Sequence, residues 1–222
     1  MKKKIFLLII PILIATSLHA EMGLGVAVKA STMGIGGDIA LGLNKNMDVR
    51  LGFDMMGFSY NFSFEETNIN YDALASIKTG SITALFDYYV ANSIFISAGV
   101  GYNMFNTNIT GQSKGGLPYG DITITDEKIG DFAFDIGPGM KISPYLGVGF
   151  GRALGKEKSL AFAFEIGTYY QGAPDISIQT TGLLSPTSNP ELGQEKYLES
   201  QISQYYLYPV LKLSLSYRLF KF

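Results

Sequence analysis

The chain has 222 residues, 17 basic and 19 acidic, with a single histidine and no cysteine. Without cysteine there is no disulfide, zinc-thiolate or thiol chemistry. The acidic balance excludes a surface built to neutralise nucleic-acid phosphates, and the length suits one domain.

The N-terminal stretch MKKKIFLLIIPILIATSLHA places Lys2, Lys3 and Lys4 ahead of an apolar run from Ile5 to Ile14, then small or polar residues to Ala20. That is the layout of a secretory signal peptide. The run is short for a bilayer span, and Pro11 interrupts it. Residues 1–20 are therefore expected to be a signal peptide cleaved after Ala20, with Leu18 at the position where a small residue is usual. Cleavage removes three basic residues and His19, leaving 14 basic against 19 acidic residues, a net charge of −5 over residues 21–222.

From Gly23 onward the hydropathy alternates with period two, the signature of strands with one apolar face. Leu24, Val26 and Val28 oppose Gly25, Ala27 and Lys29; Ile39, Leu41 and Leu43 oppose Asp38, Ala40 and Gly42. Met47, Val49, Leu51, Phe53 and Met55 oppose Asp48, Arg50, Gly52 and Asp54. The pattern recurs in SITALFDYY (81–89), SIFISAGVGYNM (93–104), SPYLGVGFG (143–151), SLAFAFEIGTYY (159–170) and YPVLKLSLSYRLFKF (208–222). These eight segments predict an all-β chain, an eight-stranded antiparallel up-and-down transmembrane β-barrel over residues 21–222.

The connections also alternate. NKN (44–46), ANS (91–93) and GKEK (155–158) read as tight turns, and the link near Met33–Gly37 is short too, although it belongs on the long-loop side. Polar segments near 64–72, 110–141 and 178–203 read as long loops. Short turns at one end and long loops at the other is the layout of an outer-membrane barrel. Within the middle loop, DITITD is expected to form a hairpin, and DFAFDIG to lead directly into the sixth strand. Its acids Asp121, Asp126, Glu127, Asp131 and Asp135 match no calcium-loop spacing, and read as a solvated loop. In the last loop, Asn189 and Pro190 predict the start of a short helix over the barrel mouth.

Alternation alone does not say which face is outside. A lipocalin-like barrel is apolar within, and a membrane barrel is apolar without. The opposite face here is glycine, alanine and serine with a few charges of both signs, a poor solvated surface and a good narrow interior. The charges Lys29, Arg50 and Lys212 against Asp38, Asp54, Asp87 and Glu165 are expected to form a paired network inside the barrel. Tyr88, Tyr89, Phe95, Tyr102, Tyr169, Tyr170, Tyr205, Tyr206, Tyr208 and Tyr217 read as an interfacial aromatic girdle. Gly149 is expected to tolerate serine better than Leu146 tolerates arginine, with inner-face glycines leaving narrow gaps.

The phrases STMGIGGDIALGL, VRLGFDMMGFSYNFSF, SAGVGYN, SPYLGVGFG, QGAPDISIQTTG and YLYPVLKLSLSYRLF touch nearly every predicted strand. With them the chain resembles the small eight-stranded bacterial outer-membrane barrels, and a poorly characterised family among them. The terminal Tyr217, Phe220 and Phe222, with Lys221 intervening, resemble the C-terminal signal read by the barrel-assembly machinery. The resemblance implies location in the bacterial outer membrane, and as partners its lipid, lipopolysaccharide and that machinery. It implies no cofactor, metal or nucleic acid, and names no extracellular ligand.

Outer-membrane barrels that are lipid-modifying enzymes resemble one another in using histidine, which the chain lacks once residues 1–20 are gone; no catalytic residues are expected. Eight strands leave an interior filled by side chains. The expected role is structural or adhesin-like surface interaction, with a narrow ion or small-solute channel as the alternative.

Overall fold

The computed structural model describes residues 22–66, 69–155 and 159–221. The expected signal peptide with Lys2, Lys3, Lys4 and His19, residues 156–158 of the GKEK turn, and Phe222 lie outside these residues.

The chain is all-β, with thirteen strands among the described residues: β1 (Gly23–Ser31), β2 (Gly34–Asn44), β3 (Met47–Glu66), β4 (Ile69–Ala91), β5 (Ile94–Asn103), β6 (Asn106–Lys114), β7 (Leu117–Tyr119), β8 (Ile122–Ile124), β9 (Asp131–Gly137), β10 (Ile142–Gly151), β11 (Leu160–Tyr170), β12 (Asp175–Thr180) and β13 (Leu207–Lys221). The expected count of eight is therefore too low. All eight expected segments are strands, but five more arise in the stretches read as loops. Every pairing is antiparallel.

Eight strands pair in a cycle. The run β4-β3-β2-β1-β13-β11-β10-β5 closes on itself because β4 also pairs with β5, from Ser81↔Asn103 to Ala91↔Ile94. Two-residue turns join β2 to β3 and β4 to β5, matching the expected NKN and ANS turns. The ring strands β1, β2, β5, β10 and β11 are 9 to 11 residues long.

Above Ser81 the neighbours change. β4 continues for another turn of chain and pairs there with β6, Asn70↔Lys114 to Lys78↔Asn106. β6 pairs with β9, and β9 with β12. The result is a second sheet region, β3-β4-β6-β9-β12, rising from one side of the ring. DFAFDIG is strand β9 of this extension rather than the start of β10, with Pro138–Lys141 between them. There the chain leaves the ladder, and the Met140 N–H turns to the Gln171 carbonyl before β10 begins. The expected DITITD hairpin is found only in part: DITITD supplies β8, which pairs with β7 before it in a small sheet separate from the ring.

The hydropathy of β3 changes sides partway along. From Met47 to Met55 the odd positions are apolar and Leu51, Phe53 and Met55 point outward, while Asp48, Arg50, Gly52 and Asp54 are buried in the ring. From Met56 to Phe64 the even positions are apolar: Met56, Phe58, Tyr60, Phe62 and Phe64. The β3–β4 register runs unbroken from Met47↔Tyr88 to Glu66↔Ile69, so no bulge causes the change. The outward side of the sheet turns from apolar to polar at Met55–Met56 while the pleat keeps its period.

In the extension, Tyr60, Phe62, Phe64, Tyr71, Phe132 and Phe134 form a continuous row of ring contacts with centroids 5.3–6.3 Å apart. Ile129, Leu117, Ile124 and Leu184 cover part of this row with Ile69 and Tyr71. Gly111 gives the Phe132 ring its place, since a Cβ there would overlap it. Asn189 caps only a single 3-10 turn, Pro190–Leu192, and left-handed Gly193 (φ 67°) separates that turn from the helix Gln194–Ile202. This helix packs on β12, not over the ring mouth: Glu195 accepts from the Ile178 N–H and Glu199 from the Ile176 N–H.

Two of the loop acids are engaged: Asp135 accepts from the Asn108 amide, and Asp126 closes a turn. Asp126, in the one-turn helix Asp126–Ile129, accepts from the N–H groups of Gly115 and Gly116 and from the Ser113 hydroxyl. Both glycines have positive φ, and the carboxylate holds them there. These bonds, the Gly116 N–H first, hold the Asp126 carboxyl below the ordinary aspartate value of 3.8. A depressed pKa means the clasp is complete above that value and is lost as pH falls through the depressed one. Asp126→Ala is expected to speed amide exchange in β7 and β8 at neutral pH. The wild type should show the same loosening only in acid; an unchanged exchange rate in the variant would contradict the clasp.

Candidate functional site

The interior of the ring collects what one face of each strand supplies. Inward positions alternate with outward ones, so the parity of β1, β2, β3, β4, β11 and β13 sends Lys29, Asp38, Arg50, Asp54, Asp87, Glu165 and Lys212 to one space, all buried. The structure joins all seven into one connected set of ion pairs. Lys29 Nζ lies 2.7 Å from Asp38 and 3.4 Å from Asp54. Arg50 bridges three carboxylates: Asp87 at 2.6 Å, Glu165 at 2.8 Å and Asp38 at 3.8 Å. Lys212 Nζ meets Glu165 Oε1 at 3.3 Å.

Arg50 is the hub. Its Nη2 donates to Asp87 Oδ1, Glu165 Oε2 and Ser97 Oγ at 2.8–3.0 Å. The 2.6 Å approach of Nε to Asp87 Oδ2 is an ion contact outside hydrogen-bond alignment, so the Nη2 bonds carry the directionality. The guanidinium lies 5.7 Å from the centre of the Phe95 ring. Neutral donors complete the acids: Ser97 donates to Asp87, Ser81 to Asp54 and Tyr145 to Glu165. Buried charges persist only when paired and hydrogen-bonded in this way.

Sequence reasoning left out Asp48, Tyr145 and Ser97. Asp48 is buried and accepts from the Tyr89 hydroxyl. It shares the parity of Arg50 and Asp54, which was the available signal. Tyr145 shares the inward parity of Gly147 and Gly149, opposite Leu146 and Val148, so its signal was in the alternation as well.

Three members of the expected girdle are inside the ring instead. Tyr89, Phe95 and Tyr169 are at most 1% exposed, whereas Tyr88 and Tyr170 beside them are exposed. In a YY pair, period two sends one ring each way. Tyr102, Tyr205, Tyr206 and Tyr217 are exposed, and Tyr208 is half-buried beside Met33, Leu85, Tyr145, Tyr169 and Val210.

The inner-face glycines are not gaps. A Cβ on Gly149 would enter the Phe95 ring, one on Gly101 the Tyr169 ring, and one on Gly167 the Tyr145 hydroxyl. Each glycine makes room for a large side chain from another strand of the ring. The turn end is closed as well. Leu154, 0% exposed, folds in from the β10–β11 connection against Gly25 and Gly42. Arg152 stacks 4.4 Å over Tyr89 and donates to the Lys45 carbonyl, pinning that connection. At the other end Gln171 bonds Asn103 and the Tyr205 carbonyl. Apolar rings, a charge network and a polar cap thus fill the interior in succession.

The outer wall is the reverse. Val28, Ile35, Leu146, Val148, Phe150, Leu160 and Leu213 are exposed, Ile35 by 74%. The closing strand β13 pairs with β1 and β11 and carries Tyr217 and Phe220 on its exposed side. Among the described residues no helix is long and apolar enough to cross a membrane.

No protein-family model matches the sequence, and no curated protein is a sequence relative. Solved structures do match. CarO2 of Acinetobacter baumannii aligns with a TM-score of 0.58 at 17% identity, over 90% of this chain and 100% of its own. CarO of the same organism aligns with a TM-score of 0.51 at 18% identity, over 88% of this chain and 97% of its own. At these identities the likeness lies in the fold, and the chain is built on the fold that the two CarO structures display.

Proposed function

We propose that the protein is an integral β-barrel of the bacterial outer membrane with a closed interior, and that its role is structural or adhesin-like, carried by the sheet it raises above the ring. The observation that carries this reading is the inverted polarity of the ring: apolar residues outside, paired charges and packed rings inside. A water-soluble barrel would not leave such a wall exposed. Ring strands of 9–11 residues have the length that crosses a bilayer when tilted. The polarity change at Met55–Met56 supports a boundary there, with lipid against Met55 and water around Ser59, Asn61 and Ser63. The fold shared with the CarO structures supports the same architecture.

In this reading residues 1–20 direct export, and the partners are outer-membrane lipid and lipopolysaccharide. The barrel-assembly machinery reads Tyr217, Phe220 and Phe222. No catalysis is part of it, since removal of His19 leaves no imidazole to serve as a base near neutral pH.

Planar bilayers separate this role from the channel. Purified wild-type protein is expected to give no steady conductance, because Arg50, Tyr89, Phe95, Leu154 and Tyr169 obstruct every level of the interior. Large, steady conductance from the wild type would overturn the closed interior and establish the channel.

A further inference from the structure

The two edges of the extension sheet are treated differently. The β12 edge is covered: the helix Gln194–Ile202 lies along it, and Glu195 and Glu199 take up the N–H groups of Ile178 and Ile176. The β3 edge is not. β2 accompanies β3 only as far as Ile35↔Met55, and from Met56 to Glu66 its one strand neighbour among the described residues is β4. Met56, Phe58, Tyr60 and Phe64 along this segment are 39–67% exposed. The segment contains no proline or lysine and no bulge, the usual devices that blunt a free edge.

We infer that the Met56–Glu66 edge of β3 is a docking site for an extended segment of another polypeptide, which adds to the sheet as a further strand. The inference rests on the reading above only for the side from which the partner approaches. The chemistry of the edge selects the occupant. A row of unpaired N–H and C=O groups is matched by another backbone lying about 4.8 Å away. The apolar row at Met56, Phe58, Tyr60, Phe62 and Phe64 calls for apolar side chains at alternate positions of the partner. Glu65 and Glu66 at the far end call for a basic residue beside them. A second copy in the same membrane fits poorly. Both β3 strands would rise in the same direction, and a two-fold axis along the membrane normal cannot set them in an antiparallel ladder.

The test uses the whole protein in detergent, so it does not depend on where the protein resides or whether it conducts. The probe is a labelled synthetic peptide alternating valine with threonine, with one arginine at an end. Its control is the same peptide N-methylated at every residue, which keeps the side chains and loses the main-chain donors. Saturable binding of the first is expected, with new hydrogen-exchange protection confined to Met56–Glu66. The control and the double variant Phe58→Lys/Tyr60→Lys should each bind at least about tenfold more weakly, the scale of losing two aromatic cross-strand contacts and their ladder. Unchanged heat-modified gel migration of the variant shows that it still folds. Equal binding of the N-methylated peptide, absence of saturable binding, or protection elsewhere would overturn the inference. So would a dimer whose β3 amides are protected before any peptide is added.

Discussion

Arg50→Ala is expected to be the most damaging single substitution in the interior. It removes the guanidinium that meets Asp87, Glu165 and Asp38 and leaves those carboxylates facing one another with only Lys29 and Lys212 nearby. Breaking a buried pair from one side costs about 3–5 kcal/mol, because the stranded charge keeps its desolvation penalty. Urea titration of protein folded into lipid vesicles would read the loss. Arg50→Lys should recover part of it, since a point charge replaces a planar fork that reaches several acceptors. Adding Asp87→Ala to Arg50→Ala should also recover part, as residues of one network are not additive. An Arg50→Ala protein as stable as the wild type would mean that water reaches the network and screens it. The same variant is expected to open intermittently in planar bilayers, because Arg50 ties β3 to β4, β5 and β11 across the interior.

The second large effect lies on the outer wall. Leu146, 59% exposed on β10, is expected to reject arginine at a cost of about 2–4 kcal/mol if it lies mid-bilayer. A water-facing leucine would accept the same change almost freely. Gly149, three residues along the same strand and facing inward, is no longer the mild control that its small size suggests. A serine there meets the Phe95 ring, and overpacking of this kind costs about 1–3 kcal/mol. Gly149→Ser in a Phe95→Leu background should be better tolerated than alone, whereas Leu146→Arg should be indifferent to Phe95. Both are measured by the same urea titration; a neutral Leu146→Arg in lipid would contradict an outward face buried in the bilayer.

The ring was largely legible because each of its strands has two unlike neighbours, apolar outside and a crowded interior within. Period two then appears in the sequence, as in Leu211, Leu213 and Leu215 against Lys212, Ser214 and Ser216. The seven charges were found by the same rule, since parity decides the face and the fold only has to bring the faces together. β6 was not legible. NTNITGQSK has water on one side and a glycine beneath the Phe132 ring on the other, so its apolar face is supplied by neighbours. β12, at the edge of the polar stretch near 178–203, is hidden because its signal is two isoleucines, Ile176 and Ile178, in six residues. The aromatic positions failed for a different reason. Composition distinguishes tyrosine from leucine, but only exact parity distinguishes Tyr88 on the wall from Tyr89 in the interior. Leu154 carried no signal at all, being one apolar residue in a polar turn; its role depends on Gly25 and Gly42, far away in sequence.

Cysteine labelling on intact cells tests the central claim most directly, and the absence of native cysteine makes it clean. Glu65→Cys marks the top of the β3–β4 extension, and Lys45→Cys marks the β2–β3 turn at the other end of the ring. A membrane-impermeant maleimide should label Glu65→Cys on intact cells and Lys45→Cys only after the outer membrane is permeabilised. Equal labelling of both on intact cells, or labelling of neither until the cells are broken open, would contradict a barrel that spans the outer membrane and presents its extension sheet to the exterior.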